Sequence, residues 1–269
     1  MTETAEFIVL GCRAGAPGEG VAASGYLVRS TKATILLDCG PGVVLELARQ
    51  GFAHEVSAAI VTHAHADHCA DLVALAYQRL FPEALPTLDL WGSPPVQNVL
   101  EGLDALFGIP SLPTLMAPLQ RAFSFCTLEA GKRQNIAGLA VETMTTDHPT
   151  PTLAVRFPEL GLVYTADGAL TDALVRFADA ATLLVAECTY VSADGHDLNG
   201  HGHMTADQAA QLAARAGARA LLLTHFARYA DAPLSACLAA AHFRGQILLA
   251  HPGARVQLLP GGIIPPYDG

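Results

Sequence analysis

Short apolar runs, each bounded by glycine, proline or a charged residue, dominate the first third of the chain. Runs of this length and setting predict β-strands over residues 6–11, 25–29, 34–38 and 58–62. Between the third and fourth of these runs, residues 43–50 follow Pro41 and stop before Gly51, which is the pattern of a short helix. This part of the chain is therefore predicted to be mainly β-sheet.

The middle stretch, residues 81–131, is rich in proline and leucine and has no cluster of catalytic residue types. Within it, the pattern predicts a strand over 87–91 and a helix over 94–107. After it, closely spaced strands are predicted over 139–145, 152–157, 162–165 and 182–186.

The last third alternates helices with strands. Thr205 and Gln208 have the spacing of a capping box, which predicts a helix that begins at Thr205 and ends at Gly217. The remaining predicted elements are strand 220–224, helix 233–243 and strands 246–250 and 255–259. Because strands are followed twice by strands mixed with helices, we expect an α/β (α+β) protein with two sheets and outer helices, in one domain over 1–269.

Composition restricts the function classes. Of 269 residues, 51% are hydrophobic and 15% charged, which excludes a mainly disordered chain. The 15 basic and 25 acidic side chains give a net charge of −10, which argues against a long nucleic acid as partner. No apolar run is long enough for a membrane span, and the N-terminal one follows Glu3 and Glu6, so a cytoplasmic protein without a membrane partner is expected.

The segment from Thr62 to His68 carries the most chemistry. His63, His65, Asp67 and His68 lie within six residues, directly after a predicted apolar strand. Three crowded histidines repel one another when protonated, and each needs a partner when buried and neutral. A divalent cation satisfies both conditions, because imidazole and carboxylate are its natural ligands. A solvated polar loop is the plain alternative, and the spacing makes it the weaker one.

Two complete metal shells require more ligands, and the sequence has candidates at other strand ends. His148, Asp167 and His225 each follow an apolar predicted strand by one to three residues. Taken alone, each could be an ordinary loop or core residue. Together with the first cluster they predict a metal site where several strands end.

These positions, with Asp38 before Cys39-Gly40, resemble the metallo-β-lactamase superfamily in type and order. The resemblance implies an αββα four-layer sandwich and a hydrolase with two divalent metal ions, expected to be zinc, with manganese or iron as alternatives. By position, Asp167 would bridge the two ions and Asp38 would orient the ligand loop. The implied ligands of one ion are His63, His65 and His148, and those of the other are Asp67, His68 and His225.

The last third is similar to the ribonuclease Z branch of that superfamily. The matching segments are Ala186-Glu187-Cys188-Thr189, His203-Met204-Thr205 and Thr224-His225-Phe226 with Arg228-Tyr229. Carried over by position, Glu187 and His203 would form the pair that protonates the leaving oxygen. His196 and His201 lie in the same loop and are alternative candidates for that role.

The departures from that branch bear on the substrate. Ribonuclease Z enzymes carry an arm that holds transfer RNA between the positions of His148 and Asp167, but here these residues are only 19 positions apart. Without an arm and with an acidic net charge, the chain is expected to act on a small-molecule substrate rather than on a long nucleic acid. The resemblance also suggests a homodimer.

The expected reaction is hydrolysis of a small phosphodiester, such as a cyclic nucleotide, by a metal-bridging hydroxide, with Asp67 as the proton acceptor and His203 as the proton donor. Three alternatives stay open. The same scaffold could hydrolyse a lactone, thioester or β-lactam, for which the stretch 81–118 could supply an apolar pocket. Cleavage of transfer RNA at its 3′ end is a further alternative, and a non-enzymatic protein that keeps its metals for stability is the last.

Overall fold

The structure is a computed structural model, and it describes residues 4–193, 198, 200–259 and 262–265. In chain order, its strands are β1 (Ala5–Arg13), β2 (Ala22–Ala23), β3 (Gly25–Ser30), β4 (Thr34–Leu37), β5 (Ala58–Val61), β6 (Leu88–Gly92), β7 (Phe123–Thr127), β8 (Arg133–Ile136), β9 (Leu139–Thr145), β10 (Leu153–Phe157), β11 (Leu162–Tyr164), β12 (Leu183–Glu187), β13 (Ala220–Thr224), β14 (Gln246–Leu249), β15 (Arg255–Leu259) and β16 (Gly262–Ile264).

Eight α-helices connect these strands within the described part of the chain. They are α1 (Val43–Arg49), α2 (Ala66–Cys69), α3 (Leu72–Leu80), α4 (Pro94–Phe107), α5 (Pro118–Ala122), α6 (Asp172–Phe177), α7 (Ala206–Arg215) and α8 (Ala232–Ala239). Single turns of 3-10 helix lie at Pro113–Leu115, Pro158–Leu160 and Tyr229–Asp231. None of the described helices is long and apolar enough to cross a membrane.

The strands form two mixed sheets. One has nine strands in the order β16-β15-β1-β3-β4-β5-β6-β7, with β2 beside β1, and the other has seven in the order β14-β13-β12-β11-β10-β9-β8. Both change from antiparallel to parallel pairing part-way across, the first at β4 and the second at β11. Loops at the carboxyl ends of parallel strands are the usual place for a binding site in such sheets.

The larger core lies between the two sheets and includes Phe7, Tyr26 and Tyr164. These three rings contact in series, with centroids 5.3 Å and then 5.1 Å apart. A second core packs α1, α3 and α4 on the outer face of the first sheet, through residues such as Leu47, Leu72 and Leu100. The alanine face of α7 covers the other sheet, so the layers follow the expected αββα order.

The structure confirms every strand and helix expected from the sequence, with small shifts at the ends. Strand 34–38 stops at Leu37 because Asp38 takes a left-handed backbone with φ 58°. The capping box at Thr205 and Gln208 makes both of its hydrogen bonds, and α7 ends two residues before Gly217, whose φ is +63°. The expected helix 233–243 is shorter and ends at Ala239.

The elements expected from the sequence did not include the strands β2, β7, β8 and β16 or the helices α2, α3, α5 and α6. Strand β8 has the sequence Arg-Gln-Asn-Ile and buries only Ile136. Its pairing with β9 therefore comes from main-chain hydrogen bonds in a hairpin rather than from an apolar pattern.

Candidate active site

The seven candidate ligands come from both sheets and meet where their strands end. His63 lies two residues after β5 of the first sheet, and the short helix α2 that follows carries Asp67 and His68. From the second sheet, His148 follows β9, Asp167 follows β11 and His225 follows β13. Because the two sheets face each other, loops that are far apart in sequence converge at a single edge of the sandwich.

The convergence gives two adjacent groups. Ligand atoms of His63, His65, His148 and Asp167 all lie within 4.8 Å of one another. The same holds for Asp67, His68 and His225. This is the division that the family resemblance implied, and it arises here from the positions of the side chains alone.

Asp167 lies between the groups. Its Oδ2 is 3.6 Å from His63 Nε2, and its Oδ1 is 3.4 Å from the Nε2 atoms of both His68 and His225. A carboxylate with one oxygen toward each group is suited to bridge two cations. The residue before it, Ala166, has a left-handed φ of 51°, so the turn that presents Asp167 is a constrained one.

All five candidate histidine ligands share one feature: one ring nitrogen is held by an outer partner and the other points into the site. His68 Nδ1 donates to Asp38 Oδ2 at 2.8 Å, and His148 Nδ1 donates to the Gly202 carbonyl at 2.8 Å. Hydroxyl partners hold the other three: Thr62 on His63 Nδ1, Thr150 on His65 Nε2 and Thr189 on His225 Nδ1. Such outer bonds fix the ring orientation and direct the second nitrogen to a metal.

Asp38 is the centre of the outer network. Its Oδ1 accepts hydrogen bonds from the Thr62 backbone N–H and hydroxyl, at 2.8 and 3.0 Å. Its Oδ2 accepts from His68 Nδ1 and from the Tyr164 hydroxyl, at 2.8 and 2.9 Å. The buried carboxylate thereby ties both ends of the ligand loop to the core, in the orienting role expected for it.

The inward atoms are poorly satisfied without a cation. His63 Nε2 and Asp167 Oδ1 are buried and have no hydrogen-bond partner among the described residues. His68 Nε2 and His225 Nε2 are 3.2 Å apart, and His65 Nδ1 and His148 Nε2 are also 3.2 Å apart. Buried polar atoms without partners are costly, and one cation within each group would satisfy them. The donor set of imidazoles and carboxylates therefore fits divalent metals.

The electrostatics agree with a cation site. Burial, reinforced by the neighbouring His68, holds the pKa of His63 well below its usual range, and burial also lowers the pKa of His148. Burial opposes protonation of His68 too, but Asp167 and Asp38 outweigh it and raise its pKa well above the usual range. The buried carboxylates thus create a strongly negative site that favours positive charge.

Glu187 and His203 lie beside the two groups. Glu187 is 1% exposed, and its Oε1 accepts hydrogen bonds from His203 Nδ1 at 3.0 Å and from the Gly168 N–H at 3.1 Å. The ring of His203 is centred 5.0 Å from that of His148 and 5.7 Å from that of His225. Burial lowers the pKa of His203, but the hydrogen bond and charge of Glu187 more than compensate, so the pKa is raised.

The position of His203 also allows a second role, that of a metal ligand. A ring nitrogen of His203 lies within 4.8 Å of ligand atoms of Asp167 and His225, so the three could share a metal. Of the other two histidines in its loop, His201 bonds to the Tyr190 hydroxyl at 3.2 Å, whereas His196 lies outside the described residues. Among the described residues, His203 is therefore the histidine of this loop that contacts Glu187.

The structure places several further residues at the site that were not among the predicted ligands and catalytic residues. Thr189 bonds to Glu187, His203 and His225, and Thr150 bonds to His65. The Gly15 N–H donates to Asp67 Oδ2 at 2.6 Å. Threonine is too common for its position alone to indicate such contacts, although Thr189 stands in the segment that also carries Glu187.

Cys69 is next to His68, but its environment does not suit a metal ligand. Burial raises the pKa of the thiol to about 12, and its Sγ donates to the His65 carbonyl at 3.1 Å. A thiol in this setting stays protonated at neutral pH, whereas metal ligation needs the thiolate.

The fold and this site define a metal-dependent hydrolase with an αββα sandwich. The chain belongs to the β-lactamase superfamily, because the model of the "Beta-lactamase superfamily domain" matches residues 33–226. The match covers all seven candidate ligands as well as Asp38, Glu187 and His203.

Relatives and solved structures agree with this assignment. "Probable metallo-hydrolase YhfI" of Bacillus subtilis (strain 168) is 29% identical over 82% of this chain and 86% of its own length. The crystal structure of YhfI has a TM-score of 0.81 at 27% identity and covers 95% of this chain and 99% of that one. A ribonuclease Z of Nocardia farcinica (strain IFM 10152) is 29% identical over 95% of this chain and 98% of its own length.

The fold alone is shared with a diphosphatase from the PhnP family, whose crystal structure has a TM-score of 0.70 at 18% identity and covers 94% of this chain and 97% of that one. Proteins with different named activities therefore share this architecture, and the fold does not specify the substrate of this chain.

Proposed function

We propose that this hydrolase cleaves a small phosphodiester, such as a cyclic nucleotide, at a site that holds two divalent cations. The observation that carries the proposal is the hydrogen bond between His203 and Glu187, beside two groups of candidate metal ligands. A phosphodiester that releases an alkoxide needs a proton donor at the leaving oxygen. Hydrolysis of an activated carbonyl compound depends less on such a proton donor.

In this proposal His63, His65 and His148 hold one ion, Asp67, His68 and His225 hold the other, and Asp167 binds both. Zinc suits the ligands best, and manganese or iron are the alternatives. When bound, such ions polarise the phosphoryl oxygens and lower the pKa of a coordinated water.

The chain's own groups perform the proton transfers. Asp67 would take the proton of the attacking water at a carboxylate oxygen. His203 would donate a proton from Nε2 to the departing oxygen, because its Nδ1 is held by Glu187. Glu187 keeps the imidazolium form populated near neutral pH, since its hydrogen bond and charge raise the pKa of His203.

The substrate size follows from the segment between His148 and Asp167. Strands β10 and β11 lie in that segment and pair as a hairpin within the second sheet. They leave no projecting arm for a transfer RNA, and the net charge of −10 gives little attraction for a long polyanion. We therefore favour a small substrate, even though ribonuclease Z enzymes are among the relatives.

The carbonyl alternative depended on a pocket from the stretch 81–118. In the structure the apolar side chains of this stretch either pack into the second core, as Leu90 and Leu100 do, or lie in solvent, with Phe81 69%, Leu106 76% and Met116 59% exposed. Side chains this exposed do not enclose a hydrophobic substrate.

One assay set tests the proposal. The purified protein is given bis(4-nitrophenyl) phosphate, a cyclic nucleotide, a lactone, a chromogenic β-lactam and a precursor transfer RNA, with bound metal measured in parallel. Turnover of both phosphodiesters, with hydrolysis of the cyclic nucleotide lost in His203→Ala while metal content stays intact, supports the proposal. Lactone or β-lactam turnover that survives this substitution contradicts it, as does efficient cleavage of the precursor transfer RNA or full metal occupancy without any activity.

A further inference from the structure

The glycine-rich segment between β1 and β2, residues 14–20, crosses the side of the site that Asp67 and His225 form. At its start, the Gly15 N–H donates to Asp67 Oδ2 at 2.6 Å, the same oxygen that lies 3.3 Å from His225 Nε2. Gly15 has a φ of +72°, which glycine adopts without strain. The segment therefore contacts a candidate ligand directly through its backbone.

The segment is also joined to the loop that follows His225. The Phe226 N–H donates to the Cys12 carbonyl at 2.9 Å, and the Ala14 N–H donates to the Phe226 carbonyl at 3.0 Å. Residues 14–20 thus bridge two ligand loops that are more than 150 positions apart in sequence.

Two charged side chains fasten this bridge. Arg13 is nearly buried, with 14% of its side chain exposed, and its Nη1 donates to the Ala227 carbonyl at 2.6 Å and to Glu19 Oε1 at 3.2 Å. The other carboxylate oxygen of Glu19 accepts from the Ala230 N–H at 2.7 Å. The Glu19 carboxylate therefore bonds both to Arg13, at the start of the segment, and to Ala230, in the loop that follows His225.

Glu19 makes these bonds from an unfavourable backbone conformation. Its φ is 56°, in the left-handed region, which glycine adopts far more easily than glutamate. Glycines stand on both sides of it, at Gly18 and Gly20, yet this position is a glutamate. A non-glycine residue persists there when surrounding contacts hold it, and such residues concentrate at functional sites. The contacts that hold Glu19 are those with Arg13 and Ala230.

We propose that Arg13 and Glu19 are positioning residues that hold Asp67 and His225 in place for the second metal ion. This inference rests on the metal site of the proposed function. Arg13 and Glu19 bond to the backbone of the loop after His225, at Ala227 and Ala230. The segment that they fasten bonds in turn to Asp67 through the Gly15 N–H. Among the described residues, Arg13 and Glu19 bond to each other, to Ala227 and to Ala230, none of which belongs to the group formed by His63, His65 and His148. Their effect should therefore be confined to one ion.

The test measures zinc affinity by chelator competition, with cobalt absorption spectra as a second readout. Glu19→Ala removes both carboxylate bonds, Glu19→Gly also removes the backbone strain, and Glu19→Gln keeps an oxygen for the Ala230 N–H. Glu159→Ala is the matched control, because Glu159 is similarly exposed at 45% and also pairs with a basic side chain, that of Lys32. Circular dichroism establishes that each variant is folded.

To assign the effect to one of the two ions, Glu19→Ala is combined with a substitution that removes a ligand from one group and leaves the other group intact. In a His65→Ala background the remaining ion is expected to bind about 10-fold more weakly when Glu19→Ala is added, as is typical of lost outer support for metal ligands. In a His225→Ala background the same addition should leave the affinity unchanged. Glu19→Gln should fall between Glu19→Ala and wild type, and Glu19→Gly should match Glu19→Ala.

Several results would overturn the inference. It fails if Glu19→Ala binds both ions like wild type, if it weakens both ions equally, or if Glu19→Gly restores full affinity, since strain rather than bonding would then matter. These failures differ from failure of the proposed function, in which the wild-type protein itself would bind fewer than two ions or would leave phosphodiesters uncleaved.

Discussion

His203 donates from Nδ1 to Glu187 Oε1 at 3.0 Å, and Glu187 is held in turn by the Thr189 N–H and hydroxyl, at 3.1 and 2.7 Å. The carboxylate is buried, whereas the imidazole keeps 16% of its side chain exposed toward the site. An oriented, partly accessible imidazole with a fixed carboxylate behind it is the arrangement of a proton donor. The predictions below follow from this pair and from the network around the ligands.

Replacing His203 should slow phosphodiester hydrolysis in a way that depends on the leaving group. For a cyclic nucleotide, whose leaving oxygen is an alkoxide, His203→Ala is expected to lower kcat about 10²- to 10⁴-fold, the usual size of a general-acid contribution. For bis(4-nitrophenyl) phosphate the loss should be much smaller, because 4-nitrophenolate departs without a proton. Steady-state kinetics on both substrates measure the difference.

His242→Ala is the control for that prediction, since this histidine is 41% exposed and pairs with Asp207. Metal content is measured in each variant. Loss of an ion in His203→Ala would identify His203 as a ligand, in line with its proximity to Asp167 and His225, and would contradict its role as proton donor.

The pH dependence of kcat should report the Glu187–His203 pair. Burial lowers the pKa of His203, but the bond and charge of Glu187 raise it overall, so the donor stays protonated to a higher pH than an ordinary histidine. Glu187→Gln removes the charge and should lower this pKa. The alkaline limb of the profile is therefore expected to move to lower pH, while activity in the acidic range is retained. An unchanged alkaline limb would show that another group titrates there.

The candidate metal ligands could be predicted from the sequence where a histidine or aspartate closely follows a predicted strand. His63, His65 and His68 follow an apolar strand so closely that metal ligation was the simplest reading, and His148, Asp167 and His225 could be found by looking after the other strands. The geometry that joins them depends on how two sheets face each other, which local patterns do not determine. The 3.2 Å approach of His65 to His148 is an example.

The individual contacts of other residues could not be predicted from the sequence. Thr150 and Gly15 contact ligands through one hydroxyl and one backbone N–H, and neither residue type is unusual in a loop. Strand β8 could not be predicted because it has little apolar content, and its pairing comes from the hairpin with β9. Hydrogen bonds of the main chain and of small polar side chains are thus the contacts that residue patterns do not predict.

Removing ligands should distinguish the two groups. His148→Ala should reduce binding of one ion, whereas Asp167→Asn should weaken both, because its two oxygens face different groups. Titration with zinc in the presence of a chromophoric chelator gives both affinities. His54→Ala, at an exposed histidine that belongs to neither group, should bind like wild type. Equal effects of His148→Ala and Asp167→Asn would argue against a bridging carboxylate.

The outer network should contribute to stability even without metal. Asp38→Asn removes the buried charged partner of His68 Nδ1 and is expected to reduce the free energy of unfolding by about 3 kcal/mol. Tyr164→Phe removes a single bond to the same carboxylate and should cost about 1.5 kcal/mol. Urea denaturation of the metal-free proteins measures both. If Tyr164→Phe proved as damaging as Asp38→Asn, the single hydroxyl bond would account for the effect, and the charge of Asp38 beside His68 would contribute nothing further.

The central claim is that seven side chains from both sheets hold two ions at one edge of the sandwich. Anomalous X-ray diffraction from a crystal grown with zinc, recorded on both sides of the zinc absorption edge, tests it most directly. The account predicts two anomalous peaks, one among His63, His65 and His148 and one among Asp67, His68 and His225, with Asp167 between them. A single peak, peaks elsewhere in the molecule, or no peak at this edge would contradict it.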